Sequence, residues 1–123
     1  MDKVITIDDW WDGPVIGLAT YDDVICIYHR IFDTQIDDYG DEYFLTPIDD
    51  AEVEMLMDEW NEWCVACSKN TLDAFYEKYL NNRLINQILE KYSEKNKYRE
   101  KAIFTGSIGK GWIPVDYHVE WHD

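Results

Sequence analysis

The sequence predicts an α+β fold: an antiparallel sheet, made of an N-terminal hairpin plus C-terminal strands, with two central helices packed on one face. Three observations predict it. Residues 113–121 alternate apolar and polar side chains, with Ile113, Val115, Tyr117, Val119 and Trp121 on one face, as a half-buried strand does. The middle of the chain repeats apolar residues every three to four positions, as amphipathic helices do. The order β-β-β-α-α-β-β separates the two kinds of element along the chain. A length of 123 residues and a hydrophobic content of 46% suit one domain, 1–123, with a sizeable core.

Each element follows from local chemistry. Residues 3–7 alternate and predict a short strand; residues 8–14, Asp-Asp-Trp-Trp-Asp-Gly-Pro, predict a turn or loop. Residues 15–21 and 24–32 are rich in Val, Ile, Tyr and Thr, which predicts a hairpin about Asp22-Asp23. A two-residue loop sets Leu18 opposite Ile27, Gly17 opposite Tyr28 and Ile16 opposite His29. One face then carries Ile16, Leu18, Thr20, Ile25, Ile27 and His29. The other carries Ala19, Tyr21, Val24, Cys26 and Tyr28. Gly17 leaves room for the Tyr28 ring against the backbone. Residues 33–40 read as an acidic loop, and 42–45 as a third strand.

Thr46 and Pro47 suit the cap and first position of a helix running to about Ser68. Val53, Leu56, Met57, Trp60, Trp63, Cys64 and Cys67 form its apolar stripe. Glu52, Glu54, Asp58, Glu59 and Glu62 fall mainly on the opposite side. After an Asn70/Thr71 cap, a second helical region runs from Leu72 through Leu80 to Tyr92, with a bend or break at Asn81-Asn82 and a charged tail over 93–101. Residues 102–105 predict a short strand, 106–111 a glycine turn, and Pro114 an edge position or a strand start.

The formal net charge is −15, and its distribution is uneven. Residues 1–68 hold 18 acids against 2 bases, whereas 69–101 hold 5 acids against 8 bases. The basic residues there are interleaved with Glu and read as a solvated helix face. Self-repulsion on this scale opposes compaction, so a purpose is to be sought. An acidic surface cannot attract phosphate, which excludes direct nucleic-acid binding by the acidic half. No stretch approaches the roughly 18–20 apolar residues of a membrane span. The N-terminus has no signal-peptide pattern and the cysteines (Cys26, Cys64, Cys67) are odd in number, so a reducing cytoplasmic setting is expected.

Catalytic signals are weak. Cys64-Val65-Ala66-Cys67 is a CxxC near a predicted helix C-terminus, where the dipole raises rather than lowers a thiol pKa; it reads as two small core residues. Asp116, His118, Glu120 and His122 alternate along one strand face, neighbours about 6.6 Å apart. His118, Glu120 and His122 are the metal-ligand candidates, and the same pattern describes a polar strand end. His29 reads as a hydrogen-bonded core or rim histidine. Lys110 in the glycine turn lacks P-loop spacing. Asp37, Asp38, Asp41 and Glu42 about Gly40 lack the ligand ladder of an EF-hand. No cofactor is implied.

Trp11-Asp12-Gly13-Pro14, with Gly17, Ala19 and Ile31-Phe32-Asp33, resembles the opening of small uncharacterised bacterial proteins with an aromatic-Asp-Gly-Pro motif and a hairpin. Leu45-Thr46-Pro47 and Val119-Glu120-Trp121 extend the resemblance over most of the chain. Asp22-Asp23 stands where the usual turn has Asn/Gly. The resemblance implies a bacterial or phage soluble protein and carries no activity.

The sequence therefore favours a binding protein over an enzyme: an acidic inhibitor, of the kind that immunity proteins provide against a basic toxin or nuclease. An anti-defence protein of phage that imitates DNA, as anti-CRISPR and anti-restriction inhibitors do, shares the physics. A small metal-binding protein or enzyme built on the His/Glu strand face is the third class. The expected partner-binding residues are Trp10, Trp11 and Asp12, then Asp37, Asp38, Asp41 and Glu42, with Glu54, Asp58 and Glu62 on the helix. Tandem Trp residues on extended chain project oppositely, so one indole is expected to plug the core under the helices and the other to be exposed.

Overall fold

The computed structural model describes residues 1–79, 82–94 and 97–123. It has the α+β fold expected. The strands are β1 (Asp2–Lys3), β2 (Asp9–Trp10), β3 (Pro14–Tyr21), β4 (Val24–Asp33), β5 (Asp38–Pro47), β6 (Tyr98–Ile108) and β7 (Pro114–His122). The helices are α1 (Asp50–Ser68), α2 (Leu72–Tyr79) and α3 (Leu84–Leu89). All seven strands join one antiparallel sheet in the order β1-β7-β6-β5-β4-β3-β2.

The two ends of that order belong to one segment. β1 pairs with β7, Val4 bridges to Ala19 on β3, and Asp9 pairs with Ile16 on β3. Between them the Ile5 and Thr6 amides donate to the Leu18 carbonyl. The first ten residues thus run between β7 and β3 and curl the sheet onto itself. Closure of this kind leaves no long free edge along that side. The predicted strand 3–7 is accordingly split: its start pairs with β7 and its remainder leans on β3.

The hairpin has the predicted register, with Leu18 opposite Ile27, Gly17 opposite Tyr28 and Ile16 opposite His29. Asp22 and Asp23 both have positive φ, 51° and 66°. A two-residue turn of primed type demands this because only that twist matches the flanking strands. The absent side chain of Gly17 is required by tertiary approach. A Cβ there would lie 2.2 Å from the Thr6 carbonyl oxygen and 2.7 Å from the Tyr28 hydroxyl. That hydroxyl donates to the same Thr6 carbonyl.

The two hairpin faces serve two cores. Inside the curl lie Val4, Ala19, Cys26, Tyr28, Tyr43, Leu45, Tyr117 and Val119, with Phe104 and Trp121 against them. The rings meet at tilted or edge-to-face angles, for example Tyr43 and Trp121 at 5.8 Å and 68°. A buried phenol must find an acceptor, and Tyr43 donates to the Pro14 carbonyl. Outside, Ile16, Leu18 and Ile27 pack against Leu56 of α1 and Ile85, Ile88 and Leu89 of α3. Leu18 and Ile27 are almost fully buried, each contributing about 1.5–3 kcal/mol of transfer free energy.

Several boundaries differ from expectation. Thr46 and Pro47 end β5 instead of starting α1. Asp49 caps α1 through a box with Glu52, and the Glu52 amide donates to the Asp49 carboxylate at 2.8 Å. The better cap sat three residues further on. The acidic loop is shorter than read, because β4 extends to Asp33 and β5 begins at Asp38. The second helical region is two short helices. Of the predicted break, Asn81 lies outside the described residues, as does Leu80 of the stripe; Asn82 donates from its backbone to Tyr79. Thr71 stands at the cap position of α2, where its carbonyl accepts from the Phe75 amide, while its hydroxyl donates to the Ala66 carbonyl. The charged helix tail over 93–101 is corrected in part. Residues 98–101 open β6 because cross-strand pairing with Glu42–Leu45 replaces helical bonds. Residues 95–96 lie outside the described residues. β6 is also longer than predicted and absorbs Gly106, whose φ of 119° bends it beside Asp116.

Candidate functional site

The turn that opens the hairpin presents the two tryptophans differently. Trp10 ends β2 and leans on the inner core, half-buried. Its indole stacks on Trp112 with centroids 4.5 Å apart and planes 6° apart. Trp11, one residue on, is 63% exposed. One indole is covered and the other exposed, but Trp10 packs in the curl of the sheet and not under the helices. Asp12 and Gly13 turn the chain with φ of 50° and 129°. Such turns cost conformational energy for a non-glycine residue, so something must hold them.

Arg30 on β4 does so. Its guanidinium donates from Nη1 to the Trp11 carbonyl at 2.9 Å and to the Asp12 carbonyl at 3.4 Å, and from Nε to the Gly40 carbonyl at 2.7 Å. The planar fork fits two backbone segments at once. One arginine therefore joins the Trp11–Asp12 turn to β5 beside Asp41. Trp112 is strained as well, with φ of 61°, after Gly111 at 70°. A Cβ on Gly111 would meet Cys67 and Trp63, so the loop presses against α1 while it offers Trp112 to Trp10.

The β4–β5 hairpin adds the carboxylates. Opposite the single residue Ile31, β5 places three residues, Gly40–Glu42, because Arg30 pairs with Tyr43 and Phe32 with Tyr39. This bulge bends β5. A cavity of about 340 Å³ opens beside it, lined by Phe32, Asp33, Gly40, Asp41, Glu42 and Arg99. Glu42 is half-engaged, accepting from Arg99 at 2.7 Å. Asp37 and Asp38 sit at the exposed tip, and Asp37 has φ of 53°. Of the predicted partner-binding residues, Trp10, Trp11, Asp12, Asp41 and Glu42 are thus tied to one region through Arg30 and the bulge, with Asp37 and Asp38 at the end of the same hairpin. The helix acids stand apart. Glu54 and Asp58 are exposed on α1. Glu62 is used internally, accepting from Lys78 and from the Tyr79 hydroxyl.

Glu59 corrects the helix reading. It is 3% exposed and accepts from Arg83 Nε and from the Leu84 amide. Arg83 Nη2 reaches Asp8 at 2.8 Å, and the Thr6 hydroxyl donates to Asp8 at 2.8 Å. A buried ion network therefore joins the N-terminal segment to α1 and to the start of α3. Burial pushes the Asp8 carboxyl up to about 6; Arg83 and Thr6 pull against that, and Glu59 adds to it. Two buried carboxylates share one cation here, and one of them holds its charge reluctantly. A heptad-like stripe cannot reveal this, since Glu59 looks like its neighbours; only the arginine after the break hints at it.

A second cavity, about 330 Å³, borders this network and is lined by Asp8, Asp9, His29, Tyr39, Tyr76, Arg83 and Asn86 among others. Burial and then Lys97 lower the His29 pKa, which favours the neutral ring. It is a rim histidine as expected, but no hydrogen bond to its ring is found among the described residues.

Other candidates are quickly placed. His118, Glu120 and His122 project outward from β7, opposite Thr105, Ile103 and Lys101. Asp116 lies 3.5 Å from His118 Nδ1. Among the described residues no group of three or more His, Cys, Asp or Glu side chains is close enough to hold a metal. Cys67 is buried and Cys64 half-buried near the C-terminus of α1, and burial raises the Cys64 thiol. No helix among the described residues is long and apolar enough to cross a membrane.

No family model matches the chain, and no curated protein or solved structure shows significant similarity to it.

Proposed function

We propose that the chain is an acidic protein-binding inhibitor of the immunity type, which neutralises a basic toxin or nuclease without chemistry of its own. The observation that carries this reading is the Trp11 turn. A large apolar side chain is held in water by a strained backbone, and an arginine is committed to fixing that backbone. A backbone fixed beforehand loses little entropy on binding, and an exposed indole carried on it makes a strong anchor, worth about 2 kcal/mol or more. The carboxylates of the adjoining hairpin supply the long-range field. They steer a cationic partner at up to about 10⁸ M⁻¹s⁻¹ at low salt.

The test is binding to the product of the neighbouring gene, with the chain immobilised and salt varied from 50 to 500 mM. The expected result is an association rate that falls steeply with salt. Trp11→Ala is expected to weaken binding at least tenfold at an unchanged melting temperature. Salt-independent association, or a Trp11→Ala variant that binds as wild type, overturns the reading.

A further inference from the structure

β6 has an unused edge. It is 11 residues long and pairs with β7 along most of its length, from Lys101 to Ile108. On its other side it pairs with β5 only over Tyr98–Lys101. A continued ladder would set Ala102 opposite Asp41 and Ile103 opposite Gly40. The bulge at Gly40–Glu42 bends β5 away, and the two strands fork. Among the described residues, no backbone or side-chain hydrogen bond to the main chain of β6 beyond Lys101 comes from outside β7. Thr105, Gly106 and Ser107 are exposed, and Ile103 is 50% exposed. A row of free amides and carbonyls in extended conformation is a template for another strand.

We propose that the partner completes the sheet: an extended strand of a basic protein adds to β6 along residues 102–105, before Gly106 bends it and within the fork that the β5 bulge opens. The proposal rests on the protein-binding reading above and names how the partner docks. Charge selects the occupant. A strand in the fork has Asp38 and Asp41 on its β5 side, and Asp116 and Glu120 stand exposed on β7 across β6. Lysine or arginine at alternate positions reaches these carboxylates. A second copy of this chain would bring another −15 of charge to the same edge, which repulsion opposes. Main-chain bonds then give affinity, Ile103 gives an apolar contact on the outer face, and Trp11 anchors from the far side of Arg30.

The experiment uses the full chain and a capped ten-residue peptide alternating Lys with Val and Thr, with its Lys→Glu counterpart as control. Binding is followed by amide hydrogen exchange and cross-strand nuclear Overhauser contacts. The Lys peptide is expected to slow exchange at least tenfold for alternate amides of 102–105, and the Glu peptide to leave them unchanged. Ile103→Lys with Thr105→Lys guards the edge with charge and is expected to weaken Lys-peptide binding at least tenfold at unchanged melting temperature. No binding, protection confined to other elements, or a dimer of the free chain through β6 overturns strand addition. The neighbouring gene product separates the two levels. If the double-lysine variant binds it as wild type does, strand addition fails and the inhibitor reading stands. If wild type does not bind it, the inhibitor reading fails.

Discussion

The sheet has two seams where strands distant in sequence meet. The first, made by residues 2–10 between β7 and β3, is short in ladder pairs but dense in other bonds. Thr6 accepts the Leu18 amide and donates to Asp8, Tyr28 donates to the Thr6 carbonyl, and Arg83 holds Asp8. The second, between β5 and β6, has four regular pairs and then forks. Local strand propensity does not distinguish them, since β6 carries Ile, Phe and Thr as freely as β3 does. Side-chain locks close one seam, and a bulge opens the other. Side-chain bonds are therefore gathered at the first, and β6 leaves β5 beyond Lys101 at the second.

The hardest blow to the closed seam is Arg83→Met. It leaves Asp8 and Glu59 buried without their cation, and a loss of about 3–5 kcal/mol is expected in urea unfolding. Gly17→Ala comes next. Its Cβ has no space against the Thr6 carbonyl, and a loss of about 1–3 kcal/mol is expected from the same measurement. The turn that anchors this seam can instead be improved, because the Asp22 amide donates to Asp2. Asp22→Asn with Asp23→Gly relieves two positive-φ aspartates and is expected to stabilise by about 1 kcal/mol, read as a higher melting temperature.

Acid titration sharpens the same seam. Asp8 titrates near 6 when folded and near about 4 when unfolded, so the folded state holds the proton more tightly. The stability this contributes is fully present below pH about 4 and is lost as pH rises through about 6. Asp8→Asn is expected to flatten that part of the stability profile. The smallest effect belongs to the open seam. Ile103→Lys with Thr105→Lys is expected to change stability by no more than about 0.5 kcal/mol, since both side chains already face water. A large loss there would mean that the fork is part of the core.

Much of the fold was legible because it follows from short-range pattern. The period-two alternation of 15–32 marked both faces of the hairpin, its two-residue turn set the register, and the three-to-four spacing of Leu56, Trp60 and Trp63 marked the buried side of α1. The acidic first half and the paired tryptophans were equally plain. The charged segment 98–101 was misread as helix because charge on an exposed strand and charge on an exposed helix look alike without a partner strand. Glu59 was misread for a similar reason: its burial depends on an arginine 24 residues away.

By itself, then, the sequence determined the class of fold, the hairpin register, the charge and the aromatic content, since each depends on neighbours within a few residues. Tertiary structure alone decided that residues 2–10 close the sheet, that Trp10 is covered while Trp11 is not, and that, among the described residues, β6 keeps a free edge beyond Lys101. These depend on bonds between residues such as Arg30 and Trp11, or Asp8 and Arg83, whose meeting is set by the path of the whole chain.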